Sequence, residues 1–316
     1  MNAAGILDHL RGRVSPGLDP AAFLRDQIAP LTRHRLHPLA ARDAHAAGGT
    51  GTAAAEALLA EARARHAVFA LGVAAAEALE RAGIEHVILK GPAVWPFYPA
   101  APFLRDRGDL DILVRPDAAA AARAALTAPW GPPRTVTAGA GQTALAFAGA
   151  GIPDVEVHTA VAPPYKNWIP PGAILDQAGT EVIGGVRLRV PAPAWRLFHA
   201  AIHAANHHLV DRLIWLYDIR FMLEAGVDTH LLQNAHGPHR RAVYAALHYT
   251  DAITGCPAAG LADGIRTSGF FRAALARLVP EDRIFDNPVS RSRVRRDLYN
   301  ALLIQNPVNL FRAALR

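Results

Sequence analysis

Cysteine and lysine are the scarcest chemically informative residues of this chain. Its 316 residues include one cysteine, Cys256, and two lysines, Lys90 and Lys166. A single cysteine excludes an intrachain disulfide and a zinc site built from several cysteines. No window holds the roughly 18 consecutive apolar residues of a membrane-spanning helix, and the first residues lack the pattern of a secretory signal. The sequence therefore predicts a cytoplasmic protein.

Apolar residues are abundant in contrast, at 51% of the chain, which is enough for a sizeable core. A net charge of +6 and a pI of about 10.0 would ordinarily suggest nucleic acid as a partner. Nearly all of the positive charge is arginine in an alanine-rich chain, which is typical of a compositional bias. Nucleic acid is therefore kept as an alternative partner and is not favoured.

The pattern of apolar residues divides the chain into three regions, which we take as domains. Helical periodicity fills residues 1–82, short β-branched runs and turns dominate residues 83–192, and helical periodicity returns over residues 193–316. The order of helices, a mixed αβ centre and helices predicts an α+β fold. In the centre we expect strands at 84–89, 108–114, 154–157 and 181–190, a proline-dense loop at 91–102 and a helix at about 116–127.

The strand at 108–114 carries two carboxylates, those of Asp109 and Asp111. Residues two apart on a strand project from one face, so these carboxylates lie side by side while Leu110 and Ile112 point into the core. Carboxylates this close repel each other unless positive charge lies between them, and their oxygens suit Mg²⁺ or Mn²⁺. An Asp-x-Asp pair alone is more often the solvated face of an exposed strand.

The neighbours of the aspartate pair favour a site for metal and phosphate. Lys90 and Gly91 directly follow a predicted strand, where an ammonium group and a backbone amide can both bind phosphate. Arg105 and Arg107 add positive charge, and Gly108 lets a ligand approach the backbone closely.

A third carboxylate is needed if the site holds two ions and activates a nucleophile. Alternation along the strand at 154–157 places Asp154, Glu156 and His158 on one face. Glu156 is central to the strand and is the favoured third ligand and base, with Asp154 as the alternative. An edge strand with charged outer positions would show the same pattern.

Several motifs follow one another in a specific order along the chain. They are a strand ending in Lys90-Gly91, the loop Phe97-Tyr98-Pro99, the pattern Arg-x-x-Gly-Asp-x-Asp-x-Leu-Val from Arg105, and a strand ending in Glu156-x-His158. This order resembles the uncharacterised nucleotidyltransferase family of the DNA-polymerase-β-like superfamily. The resemblance extends less specifically to the spaced histidines His199, His203 and His207 and to Trp215-Leu216-Tyr217-Asp218.

The resemblance implies a small mixed β-sheet core flanked by N-terminal and C-terminal helical regions. It implies a nucleoside triphosphate as donor and Mg²⁺, or Mn²⁺, held by Asp109, Asp111 and Glu156, with Glu156 orienting or deprotonating an acceptor hydroxyl. The acceptor would be a small molecule or a peptide in biosynthetic tailoring.

The remaining site residues are predicted from the residues themselves. Those that bind the nucleotide are Lys90, Gly91, Arg105, Arg107 and Gly108. Those that contact substrate are His158, His203 and Asp218.

One departure from the superfamily keeps other functions open. Most members carry Gly-Ser where this chain has Lys90-Gly91, so a catalytically inactive relative that binds a nucleotide or a protein is one alternative. A toxin-like transferase acting on tRNA, suggested by the high pI, is another. His199, His203 and His207 share a helix face and could bind zinc, but the chain has no His-Glu-x-x-His pattern, and lining or supporting the acceptor cleft is favoured.

Overall fold

The computed structural model describes residues 19–47, 52–98, 102–105, 109–139, 142–146, 154–162, 169–207, 209, 211–286, 289 and 292–304. The chain forms two compact units. One, here called the αβ unit, comprises residues 57–164 and 168–196, and the other, the helical unit, comprises residues 1–56, 165–167 and 197–316. The helices before residue 57 therefore belong to the same unit as those after residue 196. The division of the chain into three domains remains a prediction.

The αβ unit is built on a five-stranded mixed sheet, with a separate two-stranded hairpin. The strands are β1 (His86–Leu89), β2 (Asp109–Val114), β3 (Thr135–Gly139), β4 (Gln142–Ala146), β5 (Asp154–His158), β6 (Gly179–Ile183) and β7 (Val186–Val190). The order across the larger sheet is β1-β2-β5-β4-β3. Strands β2 and β5 are parallel, and the other neighbours are antiparallel. The mixed sheet with helices before and after it confirms the α+β expectation.

Fourteen α-helices lie within the described residues. They are α1 (Pro20–Arg33), α2 (His37–Ala47), α3 (Thr52–Gly72), α4 (Ala74–Arg81), α5 (Gly91–Val94), α6 (Ala119–Trp130), α7 (Pro171–Leu175), α8 (Pro193–Asn206), α9 (Ile214–Glu224), α10 (His230–Gln233), α11 (Gly237–Thr254), α12 (Ala259–Gly264), α13 (Gly269–Leu278) and α14 (Arg293–Leu303). None of these helices combines the length and the apolar character needed to cross a lipid bilayer.

One face of the central strands forms the core of the αβ unit. Leu110 and Ile112 of β2 and Val155 and Val157 of β5 are buried and pack in one cluster with apolar residues of α4 and α6. Each such side chain contributes about 1.5–3 kcal/mol when it leaves water. The acidic residues lie on the opposite face of the same strands. Packing of the apolar face in the core therefore fixes their backbone positions. Strand β5 lies between β2 and β4, so the edge-strand interpretation is wrong.

Two local expectations differ from the structure. The run at 181–190 is a hairpin, because Gly184 and Gly185 adopt φ values of 60° and 83°. Positive φ at both central residues is the signature of a type I′ turn, which joins β6 to β7 in a tight reversal. The proline-dense loop contains the short helix α5 and two 3-10 turns, Trp95–Phe97 and Pro102–Leu104.

Candidate functional site

The pairing of the sheet strands brings the polar residues together. In the parallel pair of β2 and β5, Asp111 stands opposite Glu156 and Asp109 stands opposite Asp154. On the other side of β2, Leu89 of β1 stands opposite Asp111, so Lys90 follows immediately beyond that pair. Neighbouring strands are about 4.8 Å apart, which places side chains from three strands within hydrogen-bonding range of one another.

Asp111 is the centre of this arrangement. Lys90 Nζ lies 2.5 Å from Asp111 Oδ1, and His158 Nε2 lies 2.8 Å from the same oxygen. The side chain of Asp111 is 2% exposed, that of His158 9% and that of Lys90 18%. The positive charge that the aspartate pair requires is therefore supplied by the protein itself in this structure.

Glu156 is joined to the same cluster through His158. Its Oε2 lies 3.3 Å from His158 Nε2 and accepts a hydrogen bond from Gln142 Nε2, also at 3.3 Å. Gln142 begins β4, where it stands opposite His158. Sequence reasoning missed Gln142 because a lone glutamine carries no chemical signal until the pairing of β4 with β5 is known.

The charges in the cluster stabilise one another. Burial favours the neutral form of Asp111, but the Lys90 ammonium and the His158 imidazole outweigh it and hold the pKa of Asp111 well below its usual range. Burial opposes the charged form of Lys90, but the carboxylates of Asp111, Asp109 and Glu156 raise its pKa above 10.5. Burial opposes the imidazolium form of His158, but hydrogen bonds to Asp111 and Glu156 raise its pKa above 6.5. The ionised forms of all three groups are therefore favoured together.

Lys90 has an unusual backbone conformation, with φ 46° and ψ −139°. L-residues with side chains seldom adopt positive φ, and such a conformation costs about 1–2 kcal/mol. Glycine would adopt it without that cost. The lysine at this glycine-favouring position provides the ammonium that contacts Asp111.

We expect Lys90→Gly to be more stable to urea than Lys90→Ala by about 1 kcal/mol, because both variants lose the ammonium and only glycine relieves the backbone. The matched control is Arg187, an exposed residue of strand β7, where Arg187→Ala should be more stable than Arg187→Gly. Equal stabilities of Lys90→Ala and Lys90→Gly would contradict the inference that the backbone at position 90 is strained.

A group of three side chains could hold a metal ion. Asp111, Glu156 and His158 offer ligand atoms that all lie within 4.8 Å of one another. Two carboxylate oxygens suit Mg²⁺ or Mn²⁺, and an imidazole nitrogen favours Mn²⁺ of the two. Two of these three residues, Asp111 and Glu156, were predicted as metal ligands from the sequence. The third, His158, was predicted as a substrate contact. Asp109 is half-buried on the same face of β2 and acts on the cluster through its charge.

The predicted phosphate-binding residues are only partly described. Gly91 is buried, yet a Cβ added to it would meet no atom within 4 Å, so the space in front of it is open. Arg105 is 4% exposed and follows the second 3-10 turn. Arg107 and Gly108 lie outside the described residues.

The other two predicted substrate contacts belong to the helical unit. The ring centre of His203 lies 4.4 Å from that of His207 and 4.7 Å from that of Trp215. Asp218 is buried in α9. The ring contacts of His203 are with residues of its own unit, and the roles of both residues toward a substrate remain predictions.

A family model described as an uncharacterised nucleotidyltransferase matches residues 25–255. The matched segment includes all four residues of the cluster, which are Lys90, Asp111, Glu156 and His158. No curated protein matches the chain.

Proposed function

The chain belongs to the uncharacterised nucleotidyltransferase family, and from that premise we propose that it transfers a nucleotidyl group from a nucleoside triphosphate to a small-molecule or peptide acceptor. The proposal includes Mg²⁺ or Mn²⁺ as cofactor, and membership of the DNA-polymerase-β-like superfamily, which is consistent with the mixed sheet. The observation that carries it is the cluster of Lys90, Asp111, Glu156 and His158 at the parallel pair of β2 and β5.

Lys90 is the candidate phosphate-binding group. The Lys90 side chain is 18% exposed and its Nζ is paired with one oxygen of Asp111, and the open space at Gly91 follows it directly in the chain. A triphosphate entering that space would offer several anionic oxygens to the same ammonium. A shift of the Lys90 ammonium from Asp111 to a phosphate oxygen would leave His158 as the remaining partner of Asp111 Oδ1, so Lys90 would both balance the charge of Asp111 and contribute to binding the donor.

Asp111 and Glu156 would hold the divalent ion, with Asp109 and His158 as further candidate ligands. When bound, that ion supplies electrostatic neutralisation of the phosphate groups and of the leaving pyrophosphate. The carboxylates fit this role because they stand opposite each other in the β2–β5 register.

Glu156 is also the candidate base for the acceptor hydroxyl. Its side chain is 22% exposed, more than that of Asp111, and its Oε2 is held by Gln142 and lies within 3.3 Å of His158. A carboxylate fixed from two sides can orient a hydroxyl and accept its proton when the hydroxyl lies within hydrogen-bonding distance.

The proposal is tested with the purified chain, the four α-³²P-labelled ribonucleoside triphosphates and Mg²⁺ or Mn²⁺. We expect at least one triphosphate to bind with a cation-dependent affinity in calorimetry and to release pyrophosphate when candidate hydroxyl acceptors are added. Absence of binding by every triphosphate with either cation would overturn the proposal.

A nucleotide-binding protein without transfer activity is the second candidate. The ion pair of Lys90 with Asp111 favours it, because the ammonium neutralises a carboxylate that a catalytic cation would otherwise bind. Cation-independent binding of a triphosphate without pyrophosphate release from any acceptor would support this second function over the first.

A further inference from the structure

Arg196 lies at the start of α8, and only 3% of the residue is exposed. Its Nε donates to the carbonyl of Pro191 at 2.6 Å, and its Nη1 donates to the carbonyl of Ala93 at 3.1 Å. Nη1 also donates to Glu181 Oε2 at 3.1 Å, and Nη2 donates to Glu181 Oε1. Contacts along three sides of the guanidinium therefore fix its position.

The bond to Ala93 ties this guanidinium to the segment that carries Lys90. Ala93 belongs to α5, which begins directly after Lys90, and the guanidinium also lies 5.6 Å from the ring centre of Phe97 at the end of the same segment. A helix of four residues is too short to be stable by itself. Contacts with the rest of the αβ unit must therefore set the position of α5.

Lys90 depends on that position more than an ordinary residue would. Its backbone is held at a positive φ, and such conformations persist only where the surrounding structure imposes them. Its Nζ lies 2.5 Å from Asp111 Oδ1, so a displacement of about 1 Å would lengthen the contact beyond hydrogen-bonding range.

We propose that Arg196, held by Glu181, is a positioning residue that sets the reach of the Lys90 ammonium toward Asp111. Under the function proposed above, on which this inference rests, the same arrangement aims the ammonium at the phosphates of the donor.

A buried guanidinium suits this task because it is planar and donates in several directions at once. Glu181 is 39% exposed, so it neutralises the guanidinium without being fully desolvated itself. Apolar residues of similar volume often stabilise a core as well as a buried ion pair does. They cannot hold the Ala93 carbonyl, which is the contact that reaches the Lys90 segment.

The test uses the small number of lysines in the chain. The chain has only two lysines, Lys90 and Lys166. Both are labelled by limited acylation with an N-hydroxysuccinimide ester, and mass spectrometry measures the labelling rate of each. Lys90 is the reporter and Lys166 is the internal reference. We expect Arg196→Gln to raise the labelling rate of Lys90 relative to Lys166 roughly tenfold, because a charged hydrogen-bond network is lost. Glu181→Gln should raise it less, since Arg196 keeps its bonds to Pro191 and Ala93.

The matched control is Arg189→Gln. Arg189 lies on β7 and donates to Glu85 and to the carbonyl of Leu175, neither of which belongs to α5, so the labelling ratio should stay at the wild-type value. Circular dichroism and thermal denaturation check that each variant is folded, and Glu181→Gln keeps the test valid if Arg196→Gln does not fold. Ratios in the Arg196 and Glu181 variants equal to that of the Arg189 variant would overturn the inference.

Kinetics then separate the inference from the function on which it rests. If Lys90 is misplaced, Arg196→Gln should lower kcat/KM for the triphosphate, with Arg189→Gln unaffected. A labelling change without transfer by the wild-type chain would count against the proposed function alone. Transfer by the wild type without a labelling change would count against the role of Arg196 alone.

Discussion

Replacing Asp111 by Asn is expected to lower the rate of nucleotidyl transfer at least about a thousandfold, because neutralisation by a carboxylate-bound cation supplies several kcal/mol. The same change should lower the free energy of unfolding by about 3 kcal/mol, since it leaves Lys90 and His158 without their shared anionic partner. This value is at the low end for a broken buried ion pair because Lys90 is 18% exposed. Initial rates and urea denaturation measure the two effects.

The stability difference between wild type and Asp111→Asn should depend on pH in a defined direction. The pKa of Asp111 is lowered in the folded state, so its contribution is fully present above the ordinary value of 3.8 and is lost as the pH falls through the lowered pKa. The pKa of His158 is raised, so its share is fully present below 6.5 and is lost as the pH rises through the raised pKa. The stability difference between wild type and Asp111→Asn should therefore be largest between pH 3.8 and pH 6.5.

Two further variants separate catalysis from stability. In Asp111→Asn combined with Lys90→Met, the unpaired ammonium is gone, so stability should recover while transfer does not. Asp117→Asn makes the same chemical change at an exposed residue of the αβ unit and should shift stability by no more than about 0.5 kcal/mol. If Asp111→Asn catalysed nucleotidyl transfer at the wild-type rate, the assignment of Asp111 to the candidate active site would be contradicted.

Replacing Lys90 by Met should change cation binding and transfer in opposite directions. Without the ammonium on Asp111 Oδ1, Mn²⁺ alone is expected to bind about a hundredfold more tightly. Two unit charges about 4 Å apart interact by about 4 kcal/mol near a protein surface, and solvent reduces this value. Transfer should fall, because the group that binds phosphate is lost.

Electron paramagnetic resonance of free Mn²⁺ measures the affinity directly and requires no turnover. Arg187→Met removes one positive charge from an exposed position on β7 and should leave Mn²⁺ affinity within about twofold of the wild type, since exposed charges are strongly screened. Equal Mn²⁺ affinities for wild type and Lys90→Met would show that Lys90 does not compete with the cation.

Local sequence pattern predicts the strands of the site well, because alternation is a local property. Leu110 and Ile112 face the core as the alternation at Asp109 and Asp111 requires. The hairpin at Gly184 and Gly185 was missed because the flanking residues read as one continuous strand, although two adjacent glycines were the available signal for a turn.

The partners of Asp111 were harder to predict, because they depend on pairing between distant parts of the chain. Sequence reasoning placed Lys90 near the carboxylates but did not specify its contact with one oxygen of Asp111, which the structure shows. The His158 contact depends on the parallel register of β2 and β5. Nothing in either strand alone specifies that register, and the contribution of Gln142 requires a further strand.

The parallel register also determines when the site comes into existence during folding. We expect β1 and β2 to pair early because they are close in sequence, and β5 to join β2 later because residues 115–153 separate these two strands. Slipping β5 by one residue would turn Glu156 and His158 toward the core. An intermediate lacking β5 would present Asp111 to Lys90 alone, so His158 chemical shifts would report completion of the fold as well as the state of the site.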